Sequence, residues 1–117
     1  MNSPFTQKLE ALGRIRGVLG AMVVGESDGL VVDAILQGGV RGEIIAALAA
    51  SLYRRARLAT GAAGLGSSGF LTLDAEQGRV CAAGAGDLVI VVIAESAANV
   101  GLIRIEMLRD SHAGVNG

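Results

Sequence analysis

Cysteine, histidine, proline and tryptophan are nearly missing from this sequence. The 117 residues include one Cys, one His, one Pro and no Trp, and aromatic residues make up only 3% of the chain. A single cysteine, Cys81, excludes an intrachain disulfide and a cysteine-based metal cluster. A single histidine, His112, leaves too few ligands for a histidine metal site, and we expect it to be exposed near the end of the sequence.

An excess of charge of one sign is also missing, as are long hydrophobic runs. Ten basic and eleven acidic side chains give a net charge of −1, so the sequence predicts no general attraction to nucleic acid. No apolar run approaches the roughly 20 residues of a membrane-spanning helix, and the N-terminal residues lack the pattern of a signal peptide. We therefore expect a cytoplasmic protein with no membrane insertion.

Aliphatic residues are abundant. Hydrophobic residues make up 51% of the chain and charged residues only 18%, and the mean hydropathy is +0.54. This length predicts one domain, over residues 1–110, followed by a flexible tail over 111–117. The surplus of apolar residues over the needs of one core indicates a subunit interface.

Five segments are predicted to be strands. The first and fifth, Val18 to Gly25 and Leu88 to Ala94, are almost continuously apolar, which is typical of central strands covered on both faces. The other three are Leu30 to Leu36, Phe70 to Asp74 and Arg79 to Ala83. Short turns predict antiparallel hairpins of strands one–two, three–four and four–five. If the two apolar strands, one and five, are neighbours, the sheet order is 2-1-5-4-3.

Three helices complete the predicted fold. A short helix precedes the first strand and ends at Gly13, a long helix runs from Gly42 to Thr60, and a last helix runs from Ala97 to Arg109 with Ser96 as its cap. Both faces of the sheet need cover. The fold class is therefore α/β (α+β), a three-layer sandwich with the long helix on one face and the two terminal helices on the other.

The long helix carries more apolar residues than one buried face requires. Its predicted inward stripe consists of Ile44, Ile45, Leu48, Leu52, Ala56 and Ala59. The predicted outward side carries Ala46, Ala49, Ala50 and Tyr53, with Arg57 at the end of the row. Small residues permit close approach of another helix, although alanine is also a good helix former. We favour the interpretation that this alanine-rich side is an interface. Arg55 lies near the inward stripe, and its side chain either extends past the apolar residues to solvent or contacts a partner.

No motif in the sequence predicts catalysis. Residues 64–69 read Gly-Leu-Gly-Ser-Ser-Gly, but a dinucleotide-binding loop follows a strand and opens a helix, and this one does the reverse. A P-loop motif is missing as well. We interpret Cys81 as a buried thiol and the three arginines of the long helix as a solvated face rather than an arginine finger. The sequence predicts no catalytic residue, cofactor or metal.

The third strand is short and mixed in composition, which predicts an edge of the sheet. An edge strand must be protected or used for pairing. We interpret this one as used, with residues 70–73 as the strand that pairs two copies of the chain.

Six short segments together resemble the Roadblock dynein light-chain domains, a family that includes the bacterial MglB-type regulators. The matching segments are 15–21 (IRGVLGA), 28–30 (DGL), 43–47 (EIIAA), 78–80 (GRV), 86–88 (GDL) and 100–104 (VGLIR). Their order and spacing extend over nearly the whole chain and agree with the predicted order of elements.

The resemblance implies a profilin-like Roadblock fold and a homodimer, or a heterodimer with a related chain, in which third strands pair and long helices pack together. It also implies a role in controlling a Ras-like small GTPase. MglB-type proteins are GTPase-activating partners of MglA, and other members are scaffolds, exchange-factor subunits or dynein cargo adaptors. No catalytic residue is carried over, because the family shares none.

These considerations predict a non-enzymatic homodimeric platform that binds a Ras-like GTPase and acts allosterically, as activating partner or effector. The alternative is a structural adaptor or self-associating scaffold. The predicted dimer interface comprises Ala46, Ala49, Ala50, Tyr53, Phe70, Leu71, Thr72 and Leu73. The predicted GTPase contacts are Ala46, Ala50, Tyr53, Arg54 and Arg57.

Overall fold

The computed structural model describes residues 3–66 and 69–109. The helices are α1 (Thr6–Gly13), α2 (Gly42–Ala62) and α3 (Val100–Leu108). The strands are β1 (Val18–Gly25), β2 (Val31–Leu36), β3 (Phe70–Ala75), β4 (Gly78–Ala85) and β5 (Leu88–Ala94). Within the described ranges, no helix combines the length and the hydropathy needed to cross a membrane. His112 and the predicted tail lie outside the described residues.

The five strands form one antiparallel sheet in the order β2-β1-β5-β4-β3, which confirms the prediction. The two apolar strands, β1 and β5, are neighbours and are buried along most of their length. Their composition places them at the centre because only there do both faces of a strand receive cover. β2 and β3 are left as the two edges, each of six residues.

Helices cover both faces of the sheet, as predicted. α1 and α3 share one face, and their buried side chains join those of the sheet in one cluster that includes Leu9, Leu12, Val92, Ile103 and Met107. α2 covers the other face alone, over a second cluster that includes Met22, Val24, Val89 and Val91. The molecule is therefore the predicted three-layer sandwich.

The rotation of α2 about its own axis is the opposite of the prediction. The side chains predicted to face outward pack on the sheet and are buried: Ala46, Ala49, Ala50 and Tyr53. Three of the four large aliphatic side chains of the predicted inward stripe are exposed, namely Ile44, Leu48 and Leu52, whereas Ile45 packs partly against the core as predicted. The alanines and Tyr53 therefore pack in the core of a single chain, and the prediction that they form the outward side of the long helix is wrong.

Close packing explains why the small side chains face inward. At the start of α2, a Cβ on Gly42 would lie only 2.5 Å from Cδ1 of Leu36. Further along, the ring of Tyr53 covers Gly84 so closely that any side chain there would overlap the tyrosine hydroxyl. The sheet already supplies bulky Val and Ile side chains, so α2 presents mainly alanine to it, and the large side chain of Tyr53 fits where the sheet has a glycine.

Two helix boundaries also differ from the prediction. α3 begins at Val100 rather than Ala97, because the side chain of Asn99 accepts a hydrogen bond from the Leu102 N–H at 3.1 Å and caps the helix. The hydroxyl of Ser96, the predicted cap, donates to the carbonyl oxygen of Glu76 instead. α2 continues to Ala62, so its arginines stand before the last turn.

Candidate interaction site

The outer side of β3 is an open row of backbone groups. β3 and β4 are joined by a two-residue turn, and Ala75 pairs with Gly78 at its base. In such a hairpin the closing pair exchanges both hydrogen bonds, and hydrogen-bonded pairs then alternate along the ladder. The N–H and C=O groups of Thr72 and its neighbours at 70 and 74 therefore point away from β4. Among the described residues, no side chain hydrogen-bonds to them.

An apolar groove lies beside this open edge, between β3 and α2. Leu71 and Leu73 of β3 form one wall, because alternate residues of a strand point to the same face. The side chains of α2 form the other wall and β4 the floor, and the remaining lining residues are Ile45, Leu48, Ala49, Leu52, Val80 and Ala82. The groove thus adjoins the only row of β3 backbone groups that β4 does not use.

Several large aliphatic side chains around the groove are exposed to solvent. Leu48 is 66% exposed, Leu73 52% and Leu52 39%. Contiguous exposed apolar surface of this kind marks an interaction site. The open backbone edge and the exposed leucines occupy one side of the molecule, so a single partner strand with its own apolar side chains would cover both.

The structure brings together only part of the predicted dimer interface. Ala49, Leu71 and Leu73 line the groove. Phe70 packs against the core on the face of α1 and α3, and the hydroxyl of Thr72 donates to Cys81 Sγ at 3.9 Å. These two residues contribute backbone to the open edge rather than side chains to the groove.

Several groove residues escaped the prediction, namely Ile45, Leu48, Leu52, Val80 and Ala82. The sequence did contain a signal for the first three, since they belong to the large-aliphatic stripe recognised on the long helix. Assigning that stripe to the core and the alanines to the surface inverted the result.

Arg57, a predicted partner contact, has a role within the chain. Its Nε and Nη2 atoms donate to Glu26 at 3.1 and 2.7 Å, which ties α2 to the turn after β1. The hydrogen bond to Glu26 raises the pKa of the Arg57 guanidinium above its usual value. Arg54 is partly buried and Arg55 exposed. Arg57 therefore holds two elements of one chain together.

Cys81 pairs with Thr72 in the β3–β4 ladder beside the open edge. Cys81 is buried as predicted, and burial raises the pKa of its thiol, with a smaller opposing effect from the Thr72 hydroxyl. A buried neutral thiol is a poor nucleophile. Within the part of the chain that the structure describes, no group of three or more His, Cys, Asp or Glu side chains is placed to hold a metal ion.

Known proteins share this architecture. The model of the Roadblock/LC7 domain family matches residues 5–94. Protein MJ0714 of Methanocaldococcus jannaschii is 35% identical over 109 residues, or 93% of this chain and 92% of that protein. The Roadblock/LC7 domain of Streptomyces avermitilis has a TM-score of 0.77 at 20% identity and covers 86% of both chains. The gliding protein MglB of Thermus thermophilus has a TM-score of 0.75 at 16% identity, covering 91% of this chain and 84% of its own. This chain belongs to the Roadblock/LC7 domain family.

Proposed function

We propose that this protein is a cytoplasmic, non-enzymatic homodimer that serves as a binding platform for a Ras-like small GTPase. The observation that carries the dimer is the apolar groove beside the open edge of β3. The GTPase is supported by the family resemblance of the sequence.

A symmetric pairing of β3 strands fits the geometry of this edge. Antiparallel pairing about a two-fold axis at Thr72 places Leu71 of one copy opposite Leu73 of the other, on the face that carries the groove. The outward N–H and C=O groups of both strands then find partners. The same rotation turns the exposed flank of α2 in each copy toward the other, where Leu48 and Leu52 lose contact with water.

Burial of these leucines supplies the driving force. Full burial of a leucine side chain contributes about 1.5–3 kcal/mol, and the symmetry doubles every such contact. Association also costs translational and rotational entropy. A well-packed interface that buries roughly 1,600 Å² gains enough free energy to exceed this cost. The proposed interface joins two β3 strands and two exposed flanks of α2.

The dimer is tested with Thr72→Pro, using light scattering coupled to size-exclusion chromatography. Proline is tolerated where a strand N–H points outward and it removes the donor that a partner strand needs. We expect wild type to elute as a dimer and Thr72→Pro as a folded monomer. Thr72→Val is the matched control and keeps the dimer. A monomeric wild type, or a folded dimeric Thr72→Pro, contradicts the proposal.

The proposed GTPase surface lies on the α2 flank that faces away from the β3 groove. Arg54 and Leu58, four residues apart, share that flank, and Leu58 is exposed. Both remain accessible once β3 strands have paired. The dimer acts allosterically: it binds one switch conformation of the GTPase more tightly and shifts the population toward it, as activating partner or effector.

Calorimetry with a Ras-like GTPase tests this role, and a GTPase encoded beside the protein is the first choice. The GTPase is loaded with GDP or with a non-hydrolysable GTP analogue. We expect affinity that depends on the nucleotide and is weakened about tenfold or more by Arg54→Glu, the range of a lost charged contact at an interface. Equal affinity for both nucleotide states contradicts a switch role, and no binding to either contradicts the GTPase partner.

A structural adaptor is the second candidate. It is favoured by a second exposed apolar stripe, formed by Leu102, Ile105 and Leu108 of α3 on the opposite face of the molecule. A dimer with two distinct apolar surfaces is suited to hold partners together without affecting nucleotide turnover. GTP hydrolysis rates that do not change on addition of the protein, despite binding, favour the adaptor.

A further inference from the structure

The two edges of the sheet are equal in length but not in protection. β2 and β3 each contain six residues. β2 is also rich in exposed aliphatic side chains: Leu30 just before it and Val31, Val32, Ile35 and Leu36 within it. An exposed aliphatic edge strand pairs readily with another chain unless a specific feature prevents it.

The register of β2 identifies which of its backbone groups face solvent. The N–H of Gln37 donates to the carbonyl oxygen of Leu19, and the same register continues through Ile35 opposite Ala21 and Asp33 opposite Val23. These alternate residues use their N–H and C=O groups toward β1. The backbone groups of Ala34, between them, therefore point away from the sheet, at the centre of the edge.

A carboxylate occupies that central position. Oδ1 of Asp33 accepts a hydrogen bond from the Ala34 N–H at 2.9 Å. Oδ2 of Asp33 accepts a hydrogen bond from the hydroxyl of Ser3, which lies ahead of α1. The contact takes the donor that an incoming strand would need and sets a negative charge beside the carbonyl oxygens of that strand. The outer backbone of β3 has no such contact within residues 3–66 and 69–109.

We propose that Asp33 closes β2 to strand pairing, and that without Asp33 this edge pairs with β2 of a second copy. The edge is self-complementary. A two-fold axis at Ala34 sets the small Ala34 side chains against each other. It also brings Val32, which lies where the β1–β2 register shifts, toward Leu36 of the second copy, and both side chains are aliphatic and exposed. The axis also brings Asp33 opposite Ile35 of the second copy, where a charge is unfavourable and its removal is favourable.

The consequence is a limit on assembly. A chain that pairs through β3 alone forms a closed dimer, whereas a chain that pairs through both edges adds copies without end. The inference depends on the proposed β3 dimer in one respect only: it sets whether the wild-type unit that assembles further is a dimer or a monomer. If wild type proves to be a monomer, the β3 dimer fails, and a larger species on removal of Asp33 still supports the closed β2 edge.

Asp33→Val tests the inference, with mass measured by light scattering over a range of concentrations. We expect a mass at least about twofold that of wild type, growing with concentration. Asp33→Asn keeps an oxygen that accepts from the Ala34 N–H and stays at the wild-type mass. Glu10→Val, which makes the same exchange on the exposed surface of α1, also stays at that mass. An Asp33→Val protein that is folded and no larger than wild type overturns the inference, as does equal growth in Glu10→Val.

A rescue variant separates strand pairing from general aggregation. Ala34→Pro added to Asp33→Val removes the outward N–H at the centre of the edge, so the wild-type mass returns. If Asp33→Val is insoluble, a soluble double variant of wild-type mass supports pairing through β2. If both proteins are insoluble, Asp33→Thr is measured instead. The inference then requires folded Asp33→Thr to have a larger mass in solution than wild type. Assemblies that persist in the double variant overturn the inference.

Discussion

The side chain of Tyr53 on α2 lies directly over Gly84 in β4. A methyl group at residue 84 would overlap the tyrosine hydroxyl. We expect Gly84→Ala to lower the free energy of unfolding by about 1–3 kcal/mol, the range for overpacking a core. Denaturant unfolding followed by circular dichroism measures the change. Gly61→Ala is the control, because a Cβ there meets no atom within 4 Å and alanine favours the helix. Equal losses in both variants contradict this account.

Cys81 is expected to make the stability of the folded chain decrease at alkaline pH. Burial raises the pKa of the Cys81 thiol in the folded chain, so as pH rises the unfolded chain loses this proton first. The stabilising contribution is present below the ordinary thiol pKa of about 8.5 and is lost as pH rises through the folded value. As pH rises above about 8.5, we expect the free energy of unfolding to fall more steeply in wild type than in Cys81→Ala. Denaturant midpoints measured from pH 7 to alkaline pH check this, and parallel curves contradict it.

At the scale of the element, α2 has one face in the core and an exposed apolar flank that we propose meets a second copy. Leu48→Arg changes a side chain that is 66% exposed, so we expect it to abolish the dimer and leave the fold intact. Leu58→Arg, on the flank away from the groove, keeps the dimer. Light scattering and circular dichroism measure assembly and fold. A dimeric Leu48→Arg contradicts the assigned interface.

Ala50→Arg is expected to behave differently from Leu48→Arg on the same helix. Ala50 is 1% exposed and lies against the sheet, so a buried arginine without a partner destabilises the chain itself. We expect loss of the cooperative unfolding transition rather than a folded monomer. A stable, folded Ala50→Arg would restore the original interpretation of the alanine face.

At the scale of the whole molecule, the proposed self-association would couple stability to concentration. A dimer that holds leucines out of water is stabilised by mass action, and raising its concentration about a hundredfold adds about 2.7 kcal/mol. We expect the midpoint of thermal unfolding to rise by several degrees over that range in wild type and to stay constant in Thr72→Pro. Differential scanning calorimetry makes the comparison, and a constant wild-type midpoint contradicts the dimer.

The architecture of the sheet was predictable because its signals are local in the chain. Continuous apolar runs mark β1 and β5 as central, and short turns fix which strands are consecutive neighbours. The need to cover two apolar faces then places helices on both sides. All of these signals act within a few residues or follow from composition. They can therefore be read without knowing the distances between segments that are remote in sequence.

The orientation of α2 and the state of each sheet edge were decided only by the tertiary structure. An alanine stripe and a leucine stripe are both apolar in sequence, and the close approach of α2 to the sheet determines that Ala50 fits beneath it while Leu48 does not. In the same way, Asp33 is one polar residue in a strand until Ser3, thirty residues earlier, lies beside it. The sequence by itself determined the layers and the strand order; packing distance between remote segments decided which surfaces are left to meet another molecule.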